Sequence, residues 1–479
     1  MTPTQKKLLD DLRALVGGSN VIAGGDLEAW EMDWNRRARG KALAVVRPGS
    51  AAEVAAVVRR CAQARTGVVP QGGNTGLVLG GIPDASGTQI VLSLARMDRI
   101  LEIDPVNMTA TVQAGCILRT LQDRAREQGL LFPLSLAAEG SCTVGGNLAT
   151  NAGGTQVIRY GNAGDLCLGV ECVTAQGELI DGLTALRKDN TGYDLKRLLI
   201  GSEGTLGVIT AATVKLYPQP ASQHTAWIAL EGLEQALALL RKAHRALGPG
   251  LTGFEVMNAV ALNQVARHFP VIPVPFLQER RPPWCALLEF SAAGSEGPAR
   301  QQFEAMLAAA MEAGHAQDAV VAASLEQRER LWAIREHIPL AQASEGLNIK
   351  HDVSVPVSRV ADFIQATHAR LEQAVPGVRF VTFGHLGDGN VHYNVQAPSG
   401  ADPDVFRRDY EKRINAIVYR SVAEHAGSFS AEHGVGVLRR EQLAATKPEA
   451  ALALMRAMKR ALDPLGILNP GKVVDGDAA

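Results

Sequence analysis

Three glycine-rich loops, each placed among small polar residues, constrain this chain more than any other feature of its sequence. They span residues 70–76, directly after the strand-like Val68-Val69, residues 140–147, and residues 201–207, just ahead of Val208. Glycines let a backbone approach a bulky anion closely, and the free N–H groups of such turns can bind phosphate oxygens. One loop of this kind is usually a structural turn. Three of them, with hydroxyl and amide side chains, predict a nucleotide-binding site.

Two common nucleotide sites do not fit this pattern. A G-x-G-x-x-G run that opens a βαβ unit is missing from the sequence, so a Rossmann NAD site is not supported. Residues 466–473 nearly match a P-loop, but Val473 offers no hydroxyl to a metal and Pro470 removes an N–H. Both sites are therefore rejected.

Composition excludes several classes of function. At 479 residues the chain needs at least two cores, and its 48 basic and 49 acidic residues indicate no binding to nucleic acid or to an anionic membrane surface. No apolar run reaches the roughly 18 residues of a transmembrane helix. The N-terminus mixes charges with leucines, which predicts an amphipathic helix, and the expected compartment is the cytoplasm. The six cysteines form no CxxC and are expected to be reduced thiols.

Hydrophobic periodicity predicts an α+β protein. Expected elements of the glycine-rich half are strands over 90–94, 110–114 and 168–175, a tight turn over 175–178, a strand pair within 205–217, and helices over 51–63 and 117–128. After the break at 217–220 we expect a sheet that contains a strand over 286–290, with helices over 233–247 and 299–313 covering one of its faces. We also expect a loop over 270–283, a strand over 391–395, and mainly helices after Ala401.

Three histidines of the second half lie in two motifs, GHLGDGNVHYN at 384–394 and SAEHGVG at 430–436. Two imidazoles and a carboxylate suit a divalent ion such as zinc, with coordination positions left for a substrate. Glycines in the first motif allow its two histidines to converge. Taken singly, each histidine is more simply a hydrogen-bonded structural residue, but the combined set favours a metal or catalytic site. Upstream, Arg335 and Lys350 lie between apolar stretches and suit the recognition of carboxylates.

The runs PQGGNTG, GSCTVGGNLATNAGG and LRKDNTGYDLKRLLIGSEGTLGVIT resemble the FAD-binding domain of the vanillyl-alcohol oxidase (PCMH-type) superfamily. The resemblance implies two α+β subdomains that hold FAD, with Gln71 to Gly76 as the phosphate loop. Some relatives attach FAD through a histidine near this loop, but here the position holds Asn74 and no histidine precedes His224. Noncovalent FAD is therefore expected. The cofactor-binding residues implied by the resemblance are Pro70, Gln71, Gly72, Gly73, Asn74, Thr75, Gly76, Ser141, Thr143, Gly146, Asn147, Gly207, Ile209 and Asn469.

The two histidine motifs and the WAIRE…K…VP segment resemble the family of FAD-dependent D-2-hydroxyglutarate dehydrogenases and the neighbouring D-lactate dehydrogenase and glycolate oxidase subunits. The resemblance implies oxidation of a D-2-hydroxy acid such as D-2-hydroxyglutarate, D-malate or D-lactate to the 2-oxo acid, with hydride transfer to flavin N5. The site residues that it implies are His433 as catalytic base, His385, His392 and Glu432 as ligands of a divalent metal, and Arg335, Lys350 and Asn394 as substrate-binding residues. The chemistry of the three metal donors favours zinc.

One position departs from this family pattern. A substrate-contacting threonine one helical turn after the arginine is replaced by Pro339, which has no hydroxyl, so selectivity for a five-carbon diacid is put in doubt. By analogy with the family, electrons are expected to leave to electron-transfer flavoprotein or a quinone-linked acceptor, and a homodimer is left open.

The expected domain order has four parts. Residues 1–40 form an N-terminal helical segment, 41–220 the PCMH-type FAD-binding domain, 221–430 an α+β substrate-binding or cap domain, and 431–479 a helical C-terminal segment that returns to the flavin site. Three alternatives remain: a D-lactate dehydrogenase or glycolate oxidase subunit, a flavoprotein subunit that assembles without catalysis, and a zinc hydrolase without flavin.

Overall fold

A computed structural model describes residues 1–474 of the chain, and it divides into two compact units. Within the described residues, unit 1 comprises residues 1–154, 161–219 and 432–474, and unit 2 comprises residues 155–160 and 220–431. The last five residues of the expected C-terminal segment, Asp475 to Ala479, lie outside the described part. None of the helices within residues 1–474 has the length and apolarity that a membrane span requires.

Both units contain strands and helices, as expected for an α+β protein. The strands of unit 1 are β1 (Val21–Ile22), β2 (Ala42–Val46), β3 (Val68–Gln71), β4 (Gln89–Ser93), β5 (Ile100–Asp104), β6 (Thr109–Gln113), β7 (Leu130–Leu131), β8 (Cys167–Val173), β9 (Leu179–Gly182), β10 (Val208–Lys215) and β11 (Tyr217–Pro218). The strands of unit 2 are β12 (Ser222–Leu230), β13 (Leu251–Asn258), β14 (Trp284–Ala292), β15 (Asp318–Val321), β16 (Asp352–Ser354), β17 (Arg379–His385) and β18 (Asn390–Gln396).

The helices follow the same chain order. They are α1 (Pro3–Val16), α2 (Glu28–Glu31), α3 (Ala51–Gln63), α4 (Leu118–Arg126), α5 (Val144–Ala149), α6 (Val157–Tyr160), α7 (Ala163–Leu166), α8 (Lys196–Leu199), α9 (Leu233–Leu247), α10 (Ala259–His268), α11 (Glu296–Glu312), α12 (Leu325–Glu336), α13 (Ile338–Ser344), α14 (Val360–Ala374), α15 (Pro403–Glu424), α16 (Arg440–Thr446) and α17 (Glu449–Leu462).

The first sheet of unit 1 carries the first glycine loop. Its strand order is β1-β2-β4-β3, and β2, β4 and β3 run parallel. The crossover helix α3 has the predicted bounds because Ser50 caps its N-terminus, accepting a hydrogen bond from the Glu53 N–H, and Val54, Val57 and Val58 recur at helical spacing and are buried. Since β3 ends at Gln71, the glycine loop leaves the carboxyl end of a buried parallel strand.

The second sheet of unit 1 is antiparallel, with the strand order β5-β6-β10-β8-β9. The tight turn predicted over 175–178 is confirmed: Gly177 has a φ of +75° and its N–H donates to the Thr174 oxygen. The strand pair expected within 205–217 is wrong. Residues 208–215 form the single strand β10, which pairs with β6 and β8, because no turn residue interrupts its run of small and β-branched residues.

The sheet of unit 2 has the order β15-β12-β14-β13-β17-β18-β16 within the described residues. Helices cover both of its faces, whereas one covered face was expected. Ile228 of β12 packs in a core with α9, α11 and α14, while its neighbour Trp227 packs in a second core with α10, α12 and α13. Strands buried on both faces carry continuous apolar runs rather than alternation, and such runs occur at 226–230 in β12 and at 284–288 in β14.

The chain ends differ from the expected segments. Residues 1–40 belong to unit 1 rather than to a segment of their own, because α1 packs its buried leucines against α3 and β1 pairs with β2. The C-terminal residues also join unit 1: the Asn469 N–H donates to the Val68 oxygen over 2.7 Å, which adds Leu468 beside β3. Residues 155–160 fold with unit 2, where α6 contacts β13, a detail that no local pattern indicated. The six cysteines are buried free thiols, as predicted.

Candidate active site

A cleft in unit 1 is formed by the three glycine-rich loops. The predicted cofactor-binding residues that line it are Pro70, Gln71, Gly72, Gly73, Asn74, Thr75, Gly76, Thr143, Gly146, Asn147, Gly207 and Ile209. Two others do not line it. Ser141 lies behind the first loop, and the Asn469 side chain donates to the Gly80 and Glu203 backbone oxygens at 3.0 and 2.7 Å. Lining residues that the sequence did not indicate include Val78, Leu136 to Ala138, and Glu203.

The first two loops pack so closely that only glycine fits between them. A Cβ atom on Gly72 would lie 2.2 Å from Thr143 Oγ1, and one on Gly73 would lie 1.9 Å from the Ser141 carbonyl oxygen. Asn74 follows in the left-handed region, with a φ of +52°, and its side-chain amide donates to the Met32 oxygen over 2.9 Å. Close packing and the Asn74 hydrogen bond therefore define the conformation of this loop.

The donors of this cleft suit a flavin dinucleotide. Within residues 1–474 the buried Asn147 Nδ2 has no oxygen acceptor and can interact only with the weak acceptor Cys142 Sγ, although a poorly paired buried amide costs about 1–3 kcal/mol. A ligand acceptor in the cleft would satisfy it. The glycine backbone of residues 72–76 adds N–H groups without a side-chain barrier, which is what a pyrophosphate needs. Gln71 has a structural task as well, since its amide donates to the Trp30 and Gly81 oxygens.

Glu203 fastens the second histidine motif to this cleft. Its Oε1 accepts from the Val435 N–H over 2.7 Å, and its Oε2 accepts from the Gly436 N–H over 2.8 Å. Burial raises the pKa of this carboxyl, and the two N–H donors partly offset the rise. The loop held in this way brings Glu432 and His433 to the cleft lining, where His433 Nε2 lies 3.7 Å from Glu432 Oε1. The signal in the sequence is an acid placed within the third glycine loop.

The first histidine motif forms a tight hairpin in unit 2. His385 ends β17 and His392 lies in β18, and their ring centroids are 5.5 Å apart, with one nitrogen of each ring within 4.8 Å of the other. Gly389 has a φ of +82° in the connecting turn, and a Cβ there would lie 2.1 Å from the Val355 oxygen. The predicted convergence of the two histidines is confirmed, and glycine makes it possible.

A fully buried carboxylate lies behind this pair. Glu255 of β13 accepts a hydrogen bond from Arg335 Nε over 2.7 Å through Oε2, and its Oε1 makes a short contact with His385 Nδ1. Burial acts to raise the pKa of this carboxyl, but the charges of His385 and Arg335 outweigh it and lower the pKa to about 2. The Arg335 guanidinium also stacks over Phe383, with 4.7 Å from Cζ to the ring centroid. Glu255 was missed in the sequence.

Of the other two predicted substrate residues, Asn394 lies on the same sheet and Lys350 lies beside it. Asn394 shares a face of β18 with His392, as predicted, and it is buried; its Nδ2 donates to Gln342 Oε1 over 3.0 Å. Lys350 is exposed and follows Ile349, whose backbone pairs with Val395 beside it. Unit 2 thus collects Arg335, Lys350, Asn394, His385 and His392, while Glu432 and His433 belong to unit 1.

Comparison with known proteins gives the family. The model of "FAD linked oxidases, C-terminal domain" matches residues 219–473, and the model of "FAD binding domain" matches residues 42–182. The chain is 39% identical to D-2-hydroxyglutarate dehydrogenase, mitochondrial, of Bos taurus, over 97% of this chain and 83% of that protein. It is 40% identical to D-2-hydroxyglutarate dehydrogenase of Xanthomonas citri pv. viticola, over 94% of this chain and 93% of that protein.

Among solved structures, p-cresol methylhydroxylase with substrate bound superposes with a TM-score of 0.78 at 16% identity, over 99% of this chain and 98% of the other. At that identity the likeness concerns the fold alone, and together with the FAD binding domain matched at residues 42–182 it confirms the PCMH-type architecture that the resemblance implied. FAD is confirmed as the cofactor class by the domain that matches residues 42–182. With the first family model covering more than half of its length, this chain belongs to the FAD-linked oxidases.

Proposed function

We propose that this protein oxidises D-2-hydroxy acids with noncovalent FAD, and that D-2-hydroxyglutarate is its preferred substrate. The observation that carries the proposal is the cluster in unit 2, where one buried carboxylate, Glu255, bonds both an arginine and a histidine of a converged pair. An arginine fork suits a carboxylate, and paired imidazoles suit an ion that binds a hydroxyl. Relatives named D-2-hydroxyglutarate dehydrogenase across nearly the whole chain support the choice of substrate.

The proposed metal site uses His385 and His392 with Glu432 as the third ligand. Support for Glu432 comes from chain connectivity: the N–H of the preceding residue, Ala431, donates to the Asp352 oxygen, and Asp352 is the strand partner of His392. Two imidazoles and one carboxylate favour zinc among the divalent ions. When bound, such an ion polarises the substrate hydroxyl and carboxylate as a Lewis acid.

The remaining roles follow from the chemistry of each side chain. His433 accepts the proton of the substrate hydroxyl, since a neutral imidazole is a suitable base near neutral pH. Arg335 and Lys350 hold the carboxylates, and Asn394 holds the hydroxyl or a carboxylate oxygen. FAD held in the cleft would supply the acceptor for the hydride that leaves Cα, which carries two electrons and one proton, while His433 takes the second proton from the hydroxyl.

The most detailed part of the proposal is a preference for substrates that carry a second, distal carboxylate. Pro339 stands at the start of α13, where a proline is tolerated because the first turn of a helix does not need its N–H. It brings no hydroxyl to a substrate, which favours a tolerance of D-malate and D-lactate beside the five-carbon diacid. Electron-transfer flavoprotein or a quinone-linked acceptor, a homodimer and a cytoplasmic location stay predictions.

Anaerobic reduction of the purified, FAD-containing protein tests this function. D-2-hydroxyglutarate, D-malate, D-lactate, glycolate and the L-enantiomers are each mixed with the protein while visible flavin absorbance and zinc content are measured on the same sample. We expect bleaching by D-2-hydroxy acids, fastest with D-2-hydroxyglutarate, and its loss when the metal is chelated. Faster bleaching by D-lactate or glycolate would assign the chain to the other subunits of the family. Flavin without reduction by any of them, or a colourless protein, would overturn the proposal.

A further inference from the structure

Glu255 lies at the centre of the unit 2 sheet, with no part of its surface exposed to solvent. It is the Cα partner of His385 across β13 and β17. Taking a carboxylate out of water is strongly unfavourable unless charged partners bind it. Each of its two oxygens has a different cationic or polar partner: Oε2 accepts from Arg335 Nε over 2.7 Å, and Oε1 contacts His385 Nδ1.

These two contacts decide which atom of each partner Glu255 engages. With Nδ1 of His385 bonded to Glu255, Nε2 is the ring nitrogen that can bind an ion. With Nε of Arg335 bonded to Glu255 and the guanidinium stacked on Phe383, the two terminal amino groups form the fork that can bind a carboxylate. The carboxylate therefore acts on two predicted functional residues at once.

We propose that Glu255 is a positioning residue with two effects. It determines the ring nitrogen through which His385 binds the metal, and it orients the terminal amino groups of Arg335 toward the substrate carboxylate. This inference rests on the proposed function, since it needs both a metal and a carboxylate substrate. It adds a physical link between them: the ion and the carboxylate-binding cation are oriented by the same side chain. Metal ligands held by such an outer carboxylate lose affinity when it is removed, by roughly 10–100-fold.

The sheet supplies a matched control. Glu289, on the adjacent strand β14, is also a buried acid, and its carboxylate accepts from Trp332 Nε1 over 3.0 Å and from Thr252 Oγ1 over 3.1 Å. Trp332 belongs to the same helix, α12, as Arg335. Glu289→Gln therefore removes a buried charge that also anchors α12, without touching His385 or Arg335.

The experiment compares FAD-containing wild-type, Glu255→Gln and Glu289→Gln proteins. Zinc affinity is measured by competition with a chromophoric chelator, and KM and kcat for D-2-hydroxyglutarate are measured at saturating zinc. For Glu255→Gln we expect zinc affinity about 10–100-fold weaker and KM raised about 10-fold or more. Glu289→Gln is expected to keep both values within about twofold of wild type, whatever it costs in stability.

The outcomes separate the two proposals. The positioning role alone is overturned if the wild-type protein binds zinc and oxidises the substrate while Glu255→Gln has the same zinc affinity and the same KM. A wild-type protein that binds no divalent ion overturns both. If both variants lose zinc and substrate equally, the effect is general to buried acids and the specific role is refuted.

A measurement on the wild-type protein covers the case in which Glu255→Gln does not fold. Nitrogen-15 NMR of the histidine rings in the zinc-loaded protein distinguishes coordination through Nε2 from coordination through Nδ1. We expect His385 to bind zinc through Nε2 and to keep its proton on Nδ1. Coordination through Nδ1 would overturn the inference directly.

Discussion

The carboxylate of Glu203 lies 2.7 Å from the backbone nitrogen of Val435, although 232 residues separate them in the chain. Both residues belong to unit 1, and a second N–H of the same loop, from Gly436, donates to the other carboxylate oxygen. A carboxylate that accepts two backbone N–H bonds fixes both the position and the direction of a loop. The loop in question carries Glu432 and His433, so Glu203 controls where the proposed base lies in the FAD cleft.

Glu203→Gln should therefore slow flavin reduction without releasing FAD. Glutamine offers one acceptor oxygen, so its NH₂ group would face a backbone N–H, and a buried charge-assisted bond worth about 1.5–3 kcal/mol is lost. We expect the rate of anaerobic flavin reduction to fall at least about 10-fold at an unchanged ratio of flavin to protein. The matched control is Glu171→Gln, whose carboxylate accepts from Thr210 Oγ1 in the same unit. Equal rates in the two variants would contradict the role.

His433→Ala tests the base itself. Loss of a general base costs about 10²–10⁴-fold in the step that it assists, whereas the glycine loops that hold FAD remain in place. We expect a yellow protein whose flavin is reduced at least about 100-fold more slowly by D-2-hydroxyglutarate, measured by stopped-flow absorbance. His244→Ala, on the exposed side of α9, serves as the control and should reduce normally. Near-normal reduction of His433→Ala would assign proton removal to another group.

Gly73→Ala tests the contact between the first two glycine loops. The new methyl group would lie 1.9 Å from the Ser141 carbonyl oxygen, so a backbone segment must move, at a cost of about 1–3 kcal/mol or more. We expect purified Gly73→Ala to carry much less FAD per protein chain than wild type. Gly140→Ala adds the same methyl group in the second loop, where nothing lies within 4 Å of it. It should retain FAD, and equal flavin content in both variants would show that the close approach is unimportant.

The cofactor half of the site could be predicted from local sequence, and the reason is physical. A phosphate-binding turn is formed by consecutive residues, so the loop at 70–76 carries its chemistry within seven positions of the printed sequence. The hairpin of His385 and His392 is equally local. Ser141 does not line the cleft, and the sequence could not show this, because small polar residues in a glycine loop look alike whether they face a ligand or pack against a second loop.

The contacts of the two buried acids could not be predicted, because their partners are remote in the chain. Glu255 contacts a histidine 130 residues later, and Glu203 contacts backbone atoms 232 residues later. Periodicity reports that a position is buried, but it cannot name the residue on the next strand. The two-sided burial of the unit 2 sheet was missed for a related reason. A continuous apolar run such as residues 226–230 of β12 is compatible with a sheet that has one covered face or two. The helices that cover these faces come later in the chain.

Lys472 predicts a pH dependence of stability in unit 1. Its Nζ is buried and donates to the Ile82 oxygen over 2.9 Å, and desolvation lowers its pKa from 10.5 to about 8. Below about pH 8 the amine is charged in both the folded and the unfolded chain, and the full cost of burying the charge is present. Between about pH 8 and about pH 10.5 the unfolded state binds more protons, so the free energy of unfolding rises with pH.

Lys472→Met should remove this rise. Relative to the variant, wild type is expected to gain about 2 kcal/mol of unfolding free energy from about pH 7.5 to about pH 10, measured by urea unfolding at fixed ionic strength. Lys447→Met, which removes an exposed lysine after α16, controls for the change in net charge. A wild-type advantage that stays constant with pH, or one that shrinks as the pH rises, would mean that the buried amine keeps its proton throughout this range.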